Sequence, residues 1–224
     1  MIYVMSDIHG NWQKLHSLLD QIELSPDDTL YILGDIVDRG PQPIGILRMV
    51  MGMENVKMLL GNHEYMMLQS YFGQCAEDER EICDARWQRN GCQVTIDGLN
   101  KLSDSERKEV FEYVKSLPLN YDIEVNGVKY LMCHGCPAEL FGVKESRFTD
   151  RTFFAVWERL RPEDKMDLGR TVIFGHTSTD HYQDKEPACI WYGKGMIGID
   201  CGGGYGEGGR ISCLRLDDMK EFYA

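Results

Sequence analysis

Short apolar runs alternate with segments of helical period along most of the chain. Residues 2–5 and 30–33 are continuous apolar runs, which predict short buried strands. Between them lies an apolar stripe that starts at Trp12 and ends at Ile22, and Asn11 stands in front of it as a capping residue. Strands that alternate with amphipathic helices are typical of an α/β, or layered α+β, fold.

The same criteria divide the rest of the chain. Residues 65–117 are mostly helical in pattern, and a capping box at Ser103–Glu106 predicts the start of one of these helices. Asn126-Gly127 separates two strand-like runs and predicts a hairpin. There is no repeat and no linker, so we expect a single domain over 1–224 with a mostly helical variable region around 65–117. Further helices are predicted from Pro41 and over 152–160, and further strands over 56–60, 121–125, 128–133, 172–174, 189–192, 196–199 and 211–216.

Charge and hydropathy narrow the function classes. The 224 residues include 36 acids against 24 Lys and Arg, which gives a net charge of −12. This surplus argues against a nucleic-acid partner and against docking on anionic lipid. No apolar run is long enough for a membrane span, and the N-terminus starts as a strand rather than as a signal peptide. We therefore expect a cytoplasmic protein without a membrane partner, and the oligomeric state stays open.

The eight cysteines favour reduced thiols over a disulfide framework. Eight in 224 residues is sparse beside a stapled secreted domain, and several lie in apolar, strand-like runs. Cys133 and Cys136 flank His134 like a zinc or redox pair, but no second pair stands at zinc-finger spacing. We therefore expect buried, reduced cysteines.

Five strand-like runs end in residue types that bind metals, each beside a glycine. Side chains at the carboxyl ends of neighbouring strands gather at one edge of a sheet. Carboxylates, an amide and imidazoles together offer mixed oxygen and nitrogen ligands for two divalent ions. One such motif is weak evidence, but five in this order predict a metal site. The residues are Asp7, His9, Asp35, Asn62, His63, His134 and His176.

These motifs resemble the signature of the calcineurin-like metallophosphoesterase superfamily. The resemblance is strongest to its phosphoprotein phosphatase family, in the small bacterial and phage-type form. It implies a central β-sandwich of two mixed sheets flanked by helices. The motifs that carry it are Asp7-Ile8-His9-Gly10, Gly34-Asp35-Ile36-Val37-Asp38-Arg39-Gly40, Gly61-Asn62-His63-Glu64, His134-Gly135 and Gly175-His176.

The resemblance implies a ligand set for two metal ions. Asp7, His9 and Asp35 would hold the first ion. The second would be held by Asp35, which bridges, and by Asn62, His134 and His176. Manganese is the expected metal, with iron or zinc as alternatives.

It also implies roles in catalysis. Water activated by the pair of ions would attack phosphorus in line, while Arg39 and Arg159 bind the phosphate oxygens. Arg161 is the alternative to Arg159. His63 lies next to Asn62 and would act as general acid, and Asp38 would orient it and raise its pKa.

The resemblance favours a phosphomonoesterase acting on phosphoserine and phosphothreonine, with phosphotyrosine as a further substrate class. Its partner would be a phosphorylated protein or peptide. The alternative is a symmetrical dinucleoside tetraphosphate hydrolase or another hydrolase of small phosphoesters. Those enzymes typically lack the acid at the position of Asp38 and have Asp where Glu64 stands, which favours the protein phosphatase. A catalytically inactive binding module would have lost ligands, and every ligand type is present.

Overall fold

Two five-stranded sheets form the centre of the protein. The computed structural model describes residues 1–164, 166, 168–206 and 208–224. The strands are β1 (Ile2–Met5), β2 (Thr29–Ile32), β3 (Val56–Met58), β4 (Asn120–Val125), β5 (Val128–Cys133), β6 (Thr171–Phe174), β7 (Trp191–Gly193), β8 (Met196–Gly198), β9 (Ser212–Arg215) and β10 (Lys220–Tyr223). The helices are α1 (Trp12–Ile22), α2 (Pro43–Met51), α3 (Asn62–Ser70), α4 (Arg80–Arg89), α5 (Gln93–Asn100), α6 (Asp104–Ser116) and α7 (Arg151–Trp157).

Both sheets are mixed and have a parallel centre. The first has the order β10-β9-β1-β2-β3, in which β1, β2 and β3 run parallel. The second has the order β4-β5-β6-β8-β7, in which β5, β6 and β8 run parallel. Val4 and Leu33 from the first sheet share one apolar cluster with Met132 and Ile173 from the second, so the sheets pack face to face.

Helices cover the outer faces of the sandwich. Met5 on the outer face of the first sheet packs in one cluster with Leu18 of α1 and Leu47 of α2. On the second sheet, Val172 packs with Phe154 of α7. The predicted fold class, α/β with two mixed sheets flanked by helices, is therefore confirmed.

Several element boundaries differ from the predictions. The second helix begins at Pro43 and not at Pro41, because Gly40 and Gln42 donate backbone hydrogen bonds to His9 and Gly10 of the first loop, at 2.9 and 3.0 Å. The helix predicted over 152–160 ends at Trp157. Strand β10 was not predicted, because its four residues are half polar, and it forms by antiparallel pairing with β9.

The helical region contains one feature that contradicts the cysteine prediction. Residues 65–117 include α4, α5 and α6, and α6 begins with the predicted capping box at Ser103. Cys75, ahead of α4, forms a disulfide with Cys83, which lies within α4, and their Cα atoms are 6.8 Å apart. The expectation of reduced thiols throughout is therefore wrong for this pair. The other six cysteines are free.

Within the described residues, we find no helix that combines the length and the apolar character needed to cross a bilayer.

Candidate active site

The predicted ligand residues meet where parallel strands of both sheets end. Asp7 and His9 follow β1, and Asp35 follows β2. Asn62 begins α3 just after β3, and His134 and His176 follow β5 and β6. All six side chains belong to residues that are 8% exposed or less. The face-to-face packing of the two sheets thus brings residues 169 positions apart into one buried cluster.

Backbone conformation in these loops is unusual. Nine of the described non-glycine residues have a positive φ, and six of them are predicted site residues. Such φ values cost a side-chain-bearing residue free energy and are found where surrounding contacts hold the backbone in place. The loops thus aim their side chains at one point by adopting a strained backbone. The six are Asp7, His9, Asp35, Asp38, Arg39 and His176.

Asp35 lies between two groups of potential ligands. Its Oδ2 is 3.7 Å from Nε2 of His9, and its Oδ1 is 3.5 Å from Nε2 of His134. Oδ1 of Asp7 lies 4.0 Å from the same nitrogen of His9. The two oxygens of one carboxylate therefore face opposite groups, which is the arrangement a bridging ligand needs.

The second group is centred on Asn62. Its Oδ1 lies 2.9 Å from Nε2 of His134 and 2.9 Å from Nδ1 of His176. Asp35, His134 and His176 place one ligand atom each within 4.8 Å of one another, as do His9, Asp35 and His63. His63 thus lies in the first group beside Asp35, a position that the sequence did not indicate.

The protonation of the histidines fits a cation. Nδ1 of His9 lies 3.0 Å from the carbonyl oxygen of Val37, and Nδ1 of His134 lies 2.7 Å from that of Leu33. A carbonyl only accepts, so both Nδ1 atoms carry the proton and both Nε2 atoms present lone pairs. These lone pairs point at the oxygens of Asp35, an arrangement that a bound cation stabilises.

The buried groups have the pKa shifts expected where charge is enclosed. Burial lowers the pKa of His9 and His176 well below the usual value. Burial raises the pKa of Asp35 well above its usual value, and the nearby charges of Asp7 and Glu64 act in the same direction. Neutral imidazoles are the metal-binding form, and a bound cation reverses the shift of the carboxyl. In addition, Nε2 of His176 is buried with no hydrogen-bond partner among the described residues.

His63 is held by residues on three elements. Its Nδ1 donates to Oδ2 of Asp38 at 2.6 Å, and Asp38 also accepts from Nε1 of Trp87 at 2.8 Å and from Oγ1 of Thr95 at 2.6 Å. Nη2 of Arg39 lies 3.1 Å from Nε2 of His63 and donates to it. Asp38 thus contacts His63, as its predicted orienting role requires, whereas the contact of Arg39 with His63 was not predicted.

The effect on the pKa of His63 is the reverse of the predicted one. Burial lowers this pKa well below its usual value, and the positive charge of Arg39 lowers it further. Burial also raises the pKa of Asp38 to about 7, which weakens its effect as a negative partner. The pKa of His63 is thus lowered rather than raised in this arrangement, and its role as a proton donor held by Asp38 stays a prediction.

Glu64 has a structural role. It is fully buried, and its carboxylate accepts hydrogen bonds from the backbone N–H groups of Asp35 and Ile36, both at 2.8 Å, and of Val37 at 3.2 Å. These contacts hold the loop that presents Asp35. Glu64 and Asp38 both have no exposed surface among the described residues.

Arg159 and Arg161 lie at the edge of the site. Both line a cavity of about 1200 Å³ that also includes Trp157, whose ring lies edge-on to His176 at 5.8 Å. Arg159 is close enough for its charge to lower the pKa of His176. The structure thus brings Arg39 into contact with the buried cluster, and places Arg159 and Arg161 together beside it.

Sequence reasoning missed three residues of the site. Trp87 and Thr95 bind Asp38 from the variable helical region, where no motif marks them. Asp200 follows β8 and is buried, and the charge of Asp7 adds to burial in raising its pKa. Its place after a strand, like that of Asp7 and Asp35, is the signal that could have found it.

A comparison with known families decides the class of this site. The profile of the calcineurin-like phosphoesterases matches residues 1–195, which include every predicted ligand. The chain belongs to the calcineurin-like phosphoesterase family. It is accordingly a metal-dependent phosphoesterase, and its His and Asp groups are of the kind that holds the metal.

Individual relatives are more specific. The symmetrical bis(5'-nucleosyl)-tetraphosphatase of Erwinia tasmaniensis is 44% identical, and the alignment covers 98% of this chain and 95% of that protein. A protein of the same name from Salmonella paratyphi B is 42% identical over 73 residues, which are 32% of this chain and 26% of that protein.

Solved structures support the fold. One provisionally assigned as a diadenosine tetraphosphatase has a TM-score of 0.65 and 20% identity, and covers 100% of this chain and 92% of its own. A cold-active protein-tyrosine phosphatase from a psychrophilic Shewanella has a TM-score of 0.59 and 17% identity, and covers 99% of this chain and 79% of its own. At these identities the likeness concerns the fold alone.

These findings correct the predicted function. The assignment as a serine/threonine protein phosphatase is wrong, and so is a phosphorylated protein or peptide as partner, because the similarity over nearly the whole chain is to a symmetrical tetraphosphatase. The prediction relied on Asp38 and Glu64 as markers of substrate class. Both side chains are fully buried and bind protein groups, so neither is placed to contact a substrate.

Proposed function

We propose that this phosphoesterase is a symmetrical dinucleoside tetraphosphate hydrolase. The observation that carries the proposal is the 44% identity to a protein of that name over 98% of this chain and 95% of the relative. In the reaction, water adds to one of the two central phosphorus atoms and the bond to the central bridging oxygen breaks. Each half leaves as a nucleoside diphosphate.

We assign the buried groups to two metal ions. Asp7, His9 and Asp35 would hold one ion, and Asp35 would share the second with Asn62, His134 and His176. When bound, two divalent cations lower the pKa of a shared water and withdraw charge from phosphoryl oxygens. The fit rests on the two oxygens of Asp35, which face His9 and His134 at 3.7 and 3.5 Å. Manganese is the proposed metal, with iron or zinc as alternatives.

The chain's own residues supply charge and orientation. Arg39 is only half-buried, and its guanidinium lies 4.9 Å from the ring of Tyr205 and 3.1 Å from Nε2 of His63. We propose that it binds an oxygen of the attacked phosphoryl group, and that Arg159 does so from the opposite side. Two guanidinium groups would then neutralise charge that grows on the equatorial oxygens in the transition state.

A phosphate leaving group does not depend on a proton from His63, whose pKa burial lowers. The second pKa of a phosphate is about 6, so a nucleoside diphosphate departs at neutral pH without taking up a proton. A serine alkoxide would need that proton. We therefore propose that His63, fixed by Asp38, orients Arg39 during tetraphosphate hydrolysis and that its role as proton donor is secondary.

The test is a metal-by-substrate panel on purified protein stripped of metal and then supplied with manganese, iron or zinc. We expect diadenosine tetraphosphate to yield ADP as the sole nucleotide product, measured by ion-exchange chromatography. Formation of AMP with ATP would contradict symmetrical cleavage. Turnover of a phosphoserine peptide without turnover of the tetraphosphate would overturn the proposal. Asp35→Asn serves as the control that abolishes activity by removing the shared ligand.

A further inference from the structure

The cavity beside the second group of ligands, Asn62, His134 and His176, has features of a nucleotide-binding site. It has a volume of about 1200 Å³ and lies between residues 144–148 and 157–162, with Thr177 and Tyr182 in its wall. Thr177 follows the ligand His176 directly, and the Trp157 ring reaches the same histidine. A ligand in this cavity can therefore extend a phosphate to the metal site.

Its positive charges are available for a ligand. Arg147, Arg159 and Arg161 line the cavity, and their side chains make no hydrogen bond or ion pair with a carboxylate within the described ranges of the chain. In a protein with a net charge of −12, three neighbouring arginines without a carboxylate partner are notable. Because each guanidinium can donate two hydrogen bonds to one phosphate, a group of three arginines suits an oligophosphate ligand.

The acids in the same wall are mostly engaged. Glu158 accepts a hydrogen bond from Oγ of Ser146 at 2.6 Å, and Asp164 accepts from Nζ of Lys144 at 2.8 Å. Glu145 is exposed. Lys144 and Asp164 pair with each other, so the three arginines face two remaining acids, Glu145 and Glu158, and the lining keeps a small positive excess.

An aromatic platform completes the cavity. Phe148 lies against Phe153 with ring centroids 5.1 Å apart, and Phe153 stacks on Trp157 at 5.9 Å and 19°. Phe148 is half-buried, so this row holds one edge of its ring in place and leaves part of it open to the cavity. The guanidinium of Arg147 lies over the Phe148 ring, 5.1 Å from its centroid, so a nucleobase that stacks on this ring takes the face on which Arg147 now lies.

The smaller cavity on the opposite side of the site has a different character. It measures about 410 Å³, is lined by His9, Arg39, Lys14 and the glycines 203, 204 and 206, and has no Phe, Tyr or Trp among its described lining residues. The exposed ring of Tyr205, between Gly204 and Gly206, lies 4.9 Å from the guanidinium of Arg39, and it is not held in a row of packed rings as Phe148 is.

We propose that the larger cavity binds one nucleoside diphosphate half of the substrate, with the base on Phe148 and the outer phosphate near Arg147. This inference rests on the proposed function, because it states where the protein binds the half of the dinucleotide substrate that is recognised through its base. The other half, in the smaller cavity, is held through its phosphates.

The test measures binding of ADP and of inorganic pyrophosphate to the manganese-loaded protein by equilibrium dialysis. Phe148→Leu should weaken ADP binding about tenfold and pyrophosphate binding by much less, because the base loses its stacking contact whereas Arg147 loses only the ring it lies over and keeps its charge. Arg147→Gln should weaken both ligands by a similar factor. The matched controls are Phe111→Leu, which sits in another tilted phenylalanine pair at 5.1 Å, and the exposed Arg89→Gln; neither should change binding.

The outcomes separate this inference from the proposed function. If Phe148→Leu binds ADP as tightly as the unaltered protein, or loses pyrophosphate to the same extent, the cavity assignment is overturned. This holds whether or not the protein cleaves the tetraphosphate, because binding is measured without turnover. Failure to cleave diadenosine tetraphosphate combined with the expected binding pattern would overturn the proposed function and leave the nucleotide site standing.

Discussion

Asp38 is a buried carboxylate that accepts hydrogen bonds from three side chains of the protein. It is fully buried, and Thr95 both donates to its Oδ1 at 2.6 Å and accepts from its backbone N–H at 2.9 Å. Trp87 and His63 bind its other oxygen. Because a buried carboxylate without donors is costly, this set of contacts determines where His63 can lie.

Thr95→Val tests that network at a single atom. The substitution keeps the shape of the side chain and removes both hydrogen bonds, so we expect a loss of about 2 kcal/mol in the free energy of unfolding. Thr95→Ser keeps the hydroxyl and should lose less than half as much. Urea unfolding of both variants provides the measurement. A Val variant as stable as the unaltered protein would show that Thr95 does not support Asp38.

The hydrogen bonds of Asp28, which is not part of the active site, should make the stability of the protein depend on pH. Its carboxylate accepts from the amino group of Met1 at 2.7 Å and from the backbone N–H and Oγ of Ser25 at 2.9 and 2.8 Å, and these bonds, that of Met1 most, lower its pKa to about 2. A depressed folded-state pKa adds stability that is present above the unfolded value of about 3.9 and is lost as the pH falls towards 2. Asp28→Asn should therefore be less stable than the unaltered protein by about 1 kcal/mol at pH 6, and the gap should shrink towards pH 2. A gap that stays constant across that range would contradict the assignment.

At the scale of elements, the junction of β5 with α7 leaves no room for a side chain. Gly135 follows His134, and a Cβ at this position would lie 2.7 Å from the carbonyl oxygen of Glu158 and 3.1 Å from that of Ala155. The backbone N–H of Gly135 also donates to Ala155 at 3.1 Å. The glycine thus sets how closely the end of α7, with Trp157 and Arg159 behind it, approaches the metal ligands.

Gly135→Ala should displace the end of α7 and move Arg159. We expect overpacking to cost about 1–3 kcal/mol in unfolding free energy and to raise KM for the tetraphosphate more than it lowers kcat. Gly52→Ala is the matched control, because a Cβ there would meet nothing closer than 3.5 Å. Equal effects of the two substitutions on KM would argue against the role of this junction.

Local pattern predicted those elements that carry their own signal. The strand β1, the helix behind Asn11 and the hairpin at Asn126-Gly127 were predicted because apolar period, cap and turn residues agree there. The start of α2 and the strand β10 depend on contacts with distant backbone, which no local window contains. The disulfide between Cys75 and Cys83 likewise depends on how the chain folds back ahead of α4.

The candidate site divides in the same way. Ligand types next to glycines after strands were visible in the sequence, and the parallel strands bring them together. Trp87 and Thr95 were not visible, because their contact with Asp38 arises only when α4 and α5 pack beside the loop. Substrate class was misjudged because Asp38 and Glu64 are motif residues that face the protein interior.

On the scale of the whole molecule, the net negative charge and the buried ligand cluster together determine where a polyanionic substrate can be attracted. Two divalent ions would change the net charge from −12 to about −8, and would do so where Asp7 and Asp35 are buried together. Attraction of a polyanionic substrate must then be local, from the metals and the arginines around them. It cannot come from the protein's overall charge.

Metal removal should therefore destabilise the entire fold. Because the ligands come from both sheets, an ion that binds only the folded state adds about 2.7 kcal/mol at a hundredfold excess over its Kd. For a chain of this size that corresponds to a rise in Tm of roughly 5–10 °C on adding manganese to chelator-treated protein, measured by calorimetry.

Asp35→Asn should abolish most of this rise, because it removes a negative ligand from both groups at once. Its own metal-free Tm should be no lower than that of the unaltered protein, since one of three neighbouring buried carboxylates, with Asp7 and Glu64, is gone. The exposed Asp20→Asn should keep the full rise. An unchanged manganese response in Asp35→Asn would show that Asp35 does not join the two groups.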